Sequence, residues 1–260
     1  MIKLRIMGIA YKGTIKIILV VFALFSTFNA VSQNSIEVIY LDILKDPSAD
    51  GGATHAFNSK LLSNGKHSAF FHKSIDTMLL GTQSGVTEFP EGTKYHLRYL
   101  KDLDKNIIKY KKRSGKTISS IIDTVSFDFQ FGKNKKTILG YECKQAVISW
   151  RGRYLELYYA PELNYSDGPF KFLGLPGLIL LVEDPQGMVS MRAKSINKNY
   201  TGKIPTSLEK FQNPISYSEF VRKYDKFRVD LVNKMGAETP GTTFSLPYKE
   251  IEIIHPDHIE

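Results

Sequence analysis

The chain has 260 residues, 42% hydrophobic and 23% charged, which sets it apart from disordered chains and supplies apolar material for a packed core. Its formal net charge of +9 falls to +5 once four basic residues of the leader, Lys3, Arg5, Lys12 and Lys16, are set aside. That excess is too small to read as a nucleic-acid footprint, and a single cysteine, Cys143, excludes a disulfide within the chain.

The basic start is followed by a mostly apolar run, Ile17–Phe28, and by the small residues Ala30-Val31-Ser32 ahead of Gln33. This order predicts a cleaved signal peptide over residues 1–32, with Met7 as an alternative start. The run is shorter than the roughly 18 apolar residues that a span needs, so no transmembrane segment is expected after cleavage. No cysteine follows it, so no lipid anchor is expected. Residues 33–260 are expected to form one exported domain, most simply periplasmic.

Most of that domain alternates with period two, the strand signature. Candidate strands are Ile36–Leu44, Ala53–Leu62, Lys66–Phe71, Tyr95–Tyr99 and Asn106–Lys111, with Asn64-Gly65 as a hairpin turn. Val125, Phe127, Phe129 and Phe131 predict a strand with a phenylalanine face. Lys136–Trp150 reads as one long strand with Leu139, Tyr141, Cys143, Gln145 and Val147 on one side. Arg151-Gly152 turns the chain into Arg153–Tyr159. A further hairpin joins Leu178–Glu183 to Met188–Ser195 through Asp184-Pro-Gln-Gly187, a type I turn pattern. Tyr217, Phe220, Val221, Tyr224, Phe227, Leu231 and Val232 recur at helical spacing, with Ser216 and Glu219 as a capping box and Gly236 as a stop. The expected fold is mainly β (α+β): a single curved antiparallel sheet or half-open barrel, with one long amphipathic helix, about 216–235, packed on it.

Motifs for chemistry are weak. Gly115-Lys116-Thr117 lacks the earlier glycine of a phosphate loop, since Tyr110 stands there, and the surrounding KYKKRSGK reads as a solvated hairpin. His55, His67, His72, His96, His255 and His258 form no HExxH and no zinc-finger spacing; His67 with His72, and His255 with His258, are weak pairs that lack a full ligand set, so no metal and no cofactor are expected. There is no G-x-S-x-G nucleophile turn, and Asp167 and Asp184 read as turn residues. Cys143 lies on an apolar strand face and reads as core.

The remaining stretch is Gly168-Pro-Phe-Lys-Phe-Leu-Gly174-Leu-Pro-Gly177 followed by Leu178–Val182. A type II turn at Leu175-Pro176-Gly177 feeding a strand buried on both faces is the structural reading. It makes Gly177→Val costly to folding and Lys171→Ala tolerated.

Gly168, Pro169, Phe170, Lys171, Phe172, Gly174, Leu175, Pro176, Gly177, Leu178 and Ile179 resemble the signature of the GLPGLI family of Bacteroidetes. Gly140, Tyr141, Cys143 and Lys144, with Ala146, Gly152-Arg153 and Tyr158–Pro161, extend the resemblance over about residues 124–187. Tyr158-Tyr159 departs from the family's more usual Trp-Tyr. The resemblance implies an exported, β-rich envelope protein and supplies no activity or catalytic residue.

The leading functional expectation is a non-enzymatic periplasmic protein that binds an apolar or amphipathic ligand, lipid or lipoprotein-like, in a sheet groove, or binds a partner's extended segment. The alternative is a cell-envelope interaction or assembly module. A hydrolase using Cys143 is the third. No nucleic-acid partner is expected.

Overall fold

In the computed structural model the described residues are 34–46, 53–73, 94–239, 241–244 and 251–259. The expected signal peptide lies outside them. The described residues form twelve strands: β1 (Ser35–Asp46), β2 (Ala53–Ser63), β3 (His67–Lys73), β4 (Tyr95–Asp102), β5 (Ile107–Ser114), β6 (Thr117–Thr124), β7 (Gln130–Ile138), β8 (Tyr141–Trp150), β9 (Arg153–Ala160), β10 (Leu178–Glu183), β11 (Val189–Tyr200) and β12 (Ile215–Ser216). One helix, α1 (Tyr217–Glu238), and a 3-10 turn at Pro256–His258 complete them.

All twelve strands join one open sheet in the order β12-β6-β5-β4-β3-β2-β1-β11-β10-β9-β8-β7. Every pairing is antiparallel except the short parallel contact of β12 with β6. The connection from β6 to β7 is short, residues 125–129, yet these strands lie near opposite ends of the sheet. A flat sheet would separate them by about 48 Å at the usual strand spacing. Six Cα steps reach only about 20 Å. The sheet therefore curls until its two ends approach, without β7 pairing across the gap.

Curling creates an inner face. Ile36, Val38 and Tyr40 of β1, Leu61 of β2, Phe70 of β3, Ile108 and Tyr110 of β5, Ile121 of β6, and Leu155 and Leu157 of β9 belong to the main core. The space is filled by the chain itself: Phe170, Phe172, Leu173 and Leu175, from the segment between β9 and β10, belong to the same core. Burying side chains of this size contributes about 1.5–3 kcal/mol each. A second cluster, Leu62, Ala69, Leu100 and Ile204 with Phe71, Leu97, Tyr200 and Leu208, forms beneath the segment that follows β11.

The helix begins where its capping box places it, with Glu219 N donating to Ser216 Oγ at 3.2 Å. Tyr217, Phe220 and Val221 are buried, so its first turns anchor it to the sheet. It runs through Gly236 to Glu238, past the stop expected there, and no residue in the last turn is basic.

Two expected strands differ from what is observed. Lys136–Trp150 is broken by a two-residue turn, Leu139-Gly140, both at positive φ (51° and 84°), which separates β7 from β8. Val125–Phe129 is an irregular crossing, because its alternate residues serve an aromatic stack instead of a ladder. Phe127 packs on Phe129, Trp150 and Phe172 at ring-centre distances of 5.4, 5.2 and 6.0 Å.

Candidate functional site: a buried ionic clasp and an open sheet edge

The glycine-rich segment before β10 is a self-bonded plug. Gly174 N donates to Ser166 O, Ser166 Oγ to Leu175 O, Phe172 N to Pro169 O, and Ile179 N to Asp167 O. Gly177 N donates to Leu175 O, so Leu175-Pro176-Gly177 is a three-residue γ-turn and not the expected type II turn. Gly177 has φ 148°, and a Cβ there would overlap the carbonyl of Ala160. The glycine is required by close backbone approach as well as by its dihedral. Leu178–Val182 is buried throughout.

Two sets of buried ions pin this plug to the sheet. On one side Lys101 of β4 reaches Asp167 at 2.6 Å and the carbonyls of Gly168 and Phe172 at 2.7 and 3.3 Å. On the other, Lys171 donates to Asp123 of β6 at 2.9 Å, to Glu252 at 2.6 Å and to the Tyr110 hydroxyl at 2.9 Å. Arg151, at the β8–β9 turn, completes the cluster. Its two terminal nitrogens grip Asp123 at 2.9 and 2.7 Å, and one also meets Glu252 at 2.6 Å. Two cations face two anions, all excluded from solvent.

The electrostatics follow from that exclusion. Burial alone pushes the Asp123 carboxyl up, but Lys171 and Arg151 reverse this and hold it down at about 2. Glu252 behaves alike: burial raises it, and Lys171 and Arg151 bring it below its ordinary value. Arg151 is opposed by burial and held firmly protonated by Asp123 and Glu252. The Arg151 guanidinium also lies 3.5 Å from the Tyr217 ring centre and 4.5 Å from that of Trp150. The expectation that Lys171→Ala is tolerated is therefore corrected, because Lys171 is a buried cation shared by two carboxylates.

The other motif residues sit apart from this clasp. Gly140 is in the β7–β8 turn, and Tyr141 beside it is half-buried. Lys144 is exposed and paired in register with Lys135 and with Tyr159. Cys143 is fully buried, its Sγ donating to Tyr141 O, and burial pushes its thiol up to about 11. Such a group is a poor nucleophile. β8 and β10, the strands that follow directly on the two motif turns at Gly140 and Gly177, flank β9 on either side.

Sequence reasoning did not single out Asp123, Lys101, Tyr110 or Glu252, and took Arg151 and Asp167 for turn residues. The available signal was a lone charge at an inward strand position, such as Asp123 after Ser-Ser-Ile-Ile. Among the histidines, His67 is exposed, and His255 and His258 lie 6.1 Å apart. The side chain of His55 lies outside the described residues. No group of three metal-binding side chains occurs among the described residues. One further buried acid, Asp42 of β1, accepts from Ser59 Oγ at 2.9 Å, while its second oxygen has no partner among the described residues. Burial, opposed by Ser59, pushes its carboxyl to about 8, so it is protonated at neutral pH.

Among the described residues the sheet ends in β7, which pairs only with β8. Its register slips between Phe131 and Lys135, a bulge that leaves Lys133 exposed. Phe131 is 64% exposed, the most of any large apolar side chain described, and meets the Tyr159 ring edge-on at 6.3 Å between ring centres. The opposite end is capped by β12 on β6 and by Gln212 N donating to Ser120 Oγ.

A family model described as the N-glycanase peptide, N-terminal domain, matches residues 55–219, more than half of the chain. The chain belongs to this family. The matched range contains β7, β8, the plug and three of the four clasp ions, Asp123, Arg151 and Lys171, and ends within the first turn of α1. Among solved structures, PNGF-II in space group P21 is similar with 17% identity, covering 75% of this chain and 34% of that one, at a TM-score of 0.47. PNGF-II in space group C2 gives 18% identity, 74% and 32% coverage, and a TM-score of 0.46. A lipoprotein-sorting protein domain from Vibrio parahaemolyticus, described as a putative outer-membrane one, gives 8% identity, 80% and 95% coverage, and a TM-score of 0.23. The chain spans about a third of the PNGF-II structures' length. No curated protein matches it. Among the described residues no helix is long and apolar enough to cross a membrane.

Proposed function

We propose that this chain is an exported, non-catalytic recognition domain of the cell envelope that pairs an extended segment of a partner protein with the free edge of β7. The observation that carries this reading is the contrast between the two surfaces a curled sheet offers. The inner face is filled by the plug, whereas β7 has a ladder edge with no partner among the described residues, beside an exposed phenylalanine. Strand addition to such an edge uses main-chain hydrogen bonds for affinity and alternate side chains for selection. The basic leader, the apolar run and the small residues at 30–32 support export, with the periplasm as destination. The motifs at 140–144 and 168–179 support a GLPGLI-type member within this β-rich family.

Non-catalysis is supported by the state of the chemically active groups. Cys143 is buried with a raised thiol, and the four clasp ions are committed to one another. An apolar or amphipathic ligand in a sheet groove, the runner-up, requires the plug to leave the inner face.

Photo-cross-linking in cells tests the proposal. A cross-linker at Lys133 or Lys135 is expected to trap a specific partner, and one at Ser195 in the middle of the sheet is not. Equal trapping at both places, or saturable binding of a fluorescent fatty acid without any cross-link at β7, would count against it.

A further inference from the structure

We infer that the segment received by β7 is an acidic one, with carboxylates at alternate positions; this rests on the reading of β7 as a docking edge. Between Gln130 and Lys144 the chain carries four lysines, Lys133, Lys135, Lys136 and Lys144, against one acid, Glu142. Lys136 is turned toward β10, where it pairs with Glu183 and lies 4.2 Å from the Tyr158 ring centre. Lys133, Lys135 and Lys144 are exposed. Lys135 and Lys144 are opposite each other in register, an unfavourable cross-strand pair that one further carboxylate would relieve. Glu142 already answers Lys135 at 2.8 Å, which shows the geometry by which a carboxylate meets this row.

The same charges select against the other occupants of an open edge. A second copy placing its β7 alongside would set lysines against lysines, and like charges opposite one another destabilise a strand pair. Lysine at an edge is how sheets discourage indiscriminate pairing. An acidic strand converts that barrier into attraction, strongest at low ionic strength. Phe131 at the start of β7 offers the same partner one apolar contact.

The test uses three ten-residue peptides with a shared Val/Thr/Ile pattern whose alternate positions are Glu, Gln or Lys. Affinity is read by fluorescence anisotropy, and the site by hydrogen exchange of the β7 amides. The Glu peptide is expected to bind at least tenfold tighter than the Gln peptide, to weaken as salt rises, and to protect β7. The Lys peptide is expected not to bind. Lys133→Glu with Lys135→Glu should reverse the preference, and Glu142→Gln should tighten the Glu peptide further. Equal binding of Glu and Gln peptides with β7 protected would overturn the acidic partner while leaving the docking edge intact. No binding by any peptide, with β7 unprotected, would overturn both. A β7-mediated dimer of the free chain would assign the edge to a second copy instead.

Discussion

Arg151 and Asp123 are joined by two charge-assisted hydrogen bonds, although seven strands lie in the sheet order between β6, which carries Asp123, and β9, which follows the Arg151 turn. β6 and the β8–β9 turn meet only because the sheet curls, and this bridge spans the gap it leaves. Lys171 brings the plug to the same point, and Glu252 brings the C-terminal segment. The clasp thus fixes curvature, plug and tail together, and it accounts for the filled inner face that directs attention to the outer edge.

Removing one cation should expose this role. Lys171→Met leaves Asp123 and Glu252 with Arg151 alone, and breaking a buried pair in this way costs about 3–5 kcal/mol. The urea midpoint should fall accordingly, whereas Lys133→Met on β7 should leave it within about 0.5 kcal/mol. A loss below about 1 kcal/mol for Lys171→Met would show that the cluster does not hold the fold.

Acid should release the clasp. Asp123 is held below its unfolded value, at about 2, and Glu252 is shifted in the same direction. Such groups stabilise the fold above their unfolded values, near pH 4, and that contribution is lost as pH falls through the folded ones. Asp123 alone is expected to contribute about 2 kcal/mol to the loss between pH 4 and pH 2. Denaturant midpoints measured across that window should show a shallower acid slope in Asp123→Asn, which starts from a lower plateau.

Asp42 acts in the opposite sense. Its carboxyl is raised to about 8, so its contribution is complete below pH 4 and is lost as pH rises toward 8. The slope approaches about 1.4 kcal/mol per pH unit in that window. Asp42→Asn keeps an acceptor for Ser59 and carries no charge. It should therefore match the parent near pH 4 and exceed it in stability at pH 8. A parallel pair of curves would contradict the assignment of a buried neutral acid.

Two glycines of the motif stretches should separate by mechanism. Gly140 has positive φ but open space around it, so Gly140→Ala should cost about 1 kcal/mol. Gly177→Ala must also push against the backbone of Ala160 and Pro161, and its loss should exceed that of Gly140→Ala by at least about 2 kcal/mol. Thermal unfolding of the two variants decides it. Equal losses would mean that dihedral freedom alone explains Gly177.

The strands were legible in the sequence wherever one face is wet, because side chains then alternate. β1, β2, β4, β5 and β11 show this, and β10 was legible as a short apolar run ended by a turn. The break at Leu139-Gly140 was not, since Leu139 continues the alternation although it lies in the turn and is exposed. Val125–Phe131 misled for a related reason: alternate aromatics fit a ladder and a stack equally well. The clasp was illegible because its bonds join residues 28, 48, 81 and 101 positions apart. Local pattern carries no information over such separations, and a lone buried Lys171 reads like any surface lysine until its partners are in place.

The most direct measurement is hydrogen exchange of the chain alone and in complex with the partner trapped at β7. Protection gained by residues 130–138, with the plug at 163–177 unchanged, is the result expected of a domain that recognises its partner by its edge. Opening of the plug together with an unaltered β7 would contradict that account and point to a ligand inside the sheet.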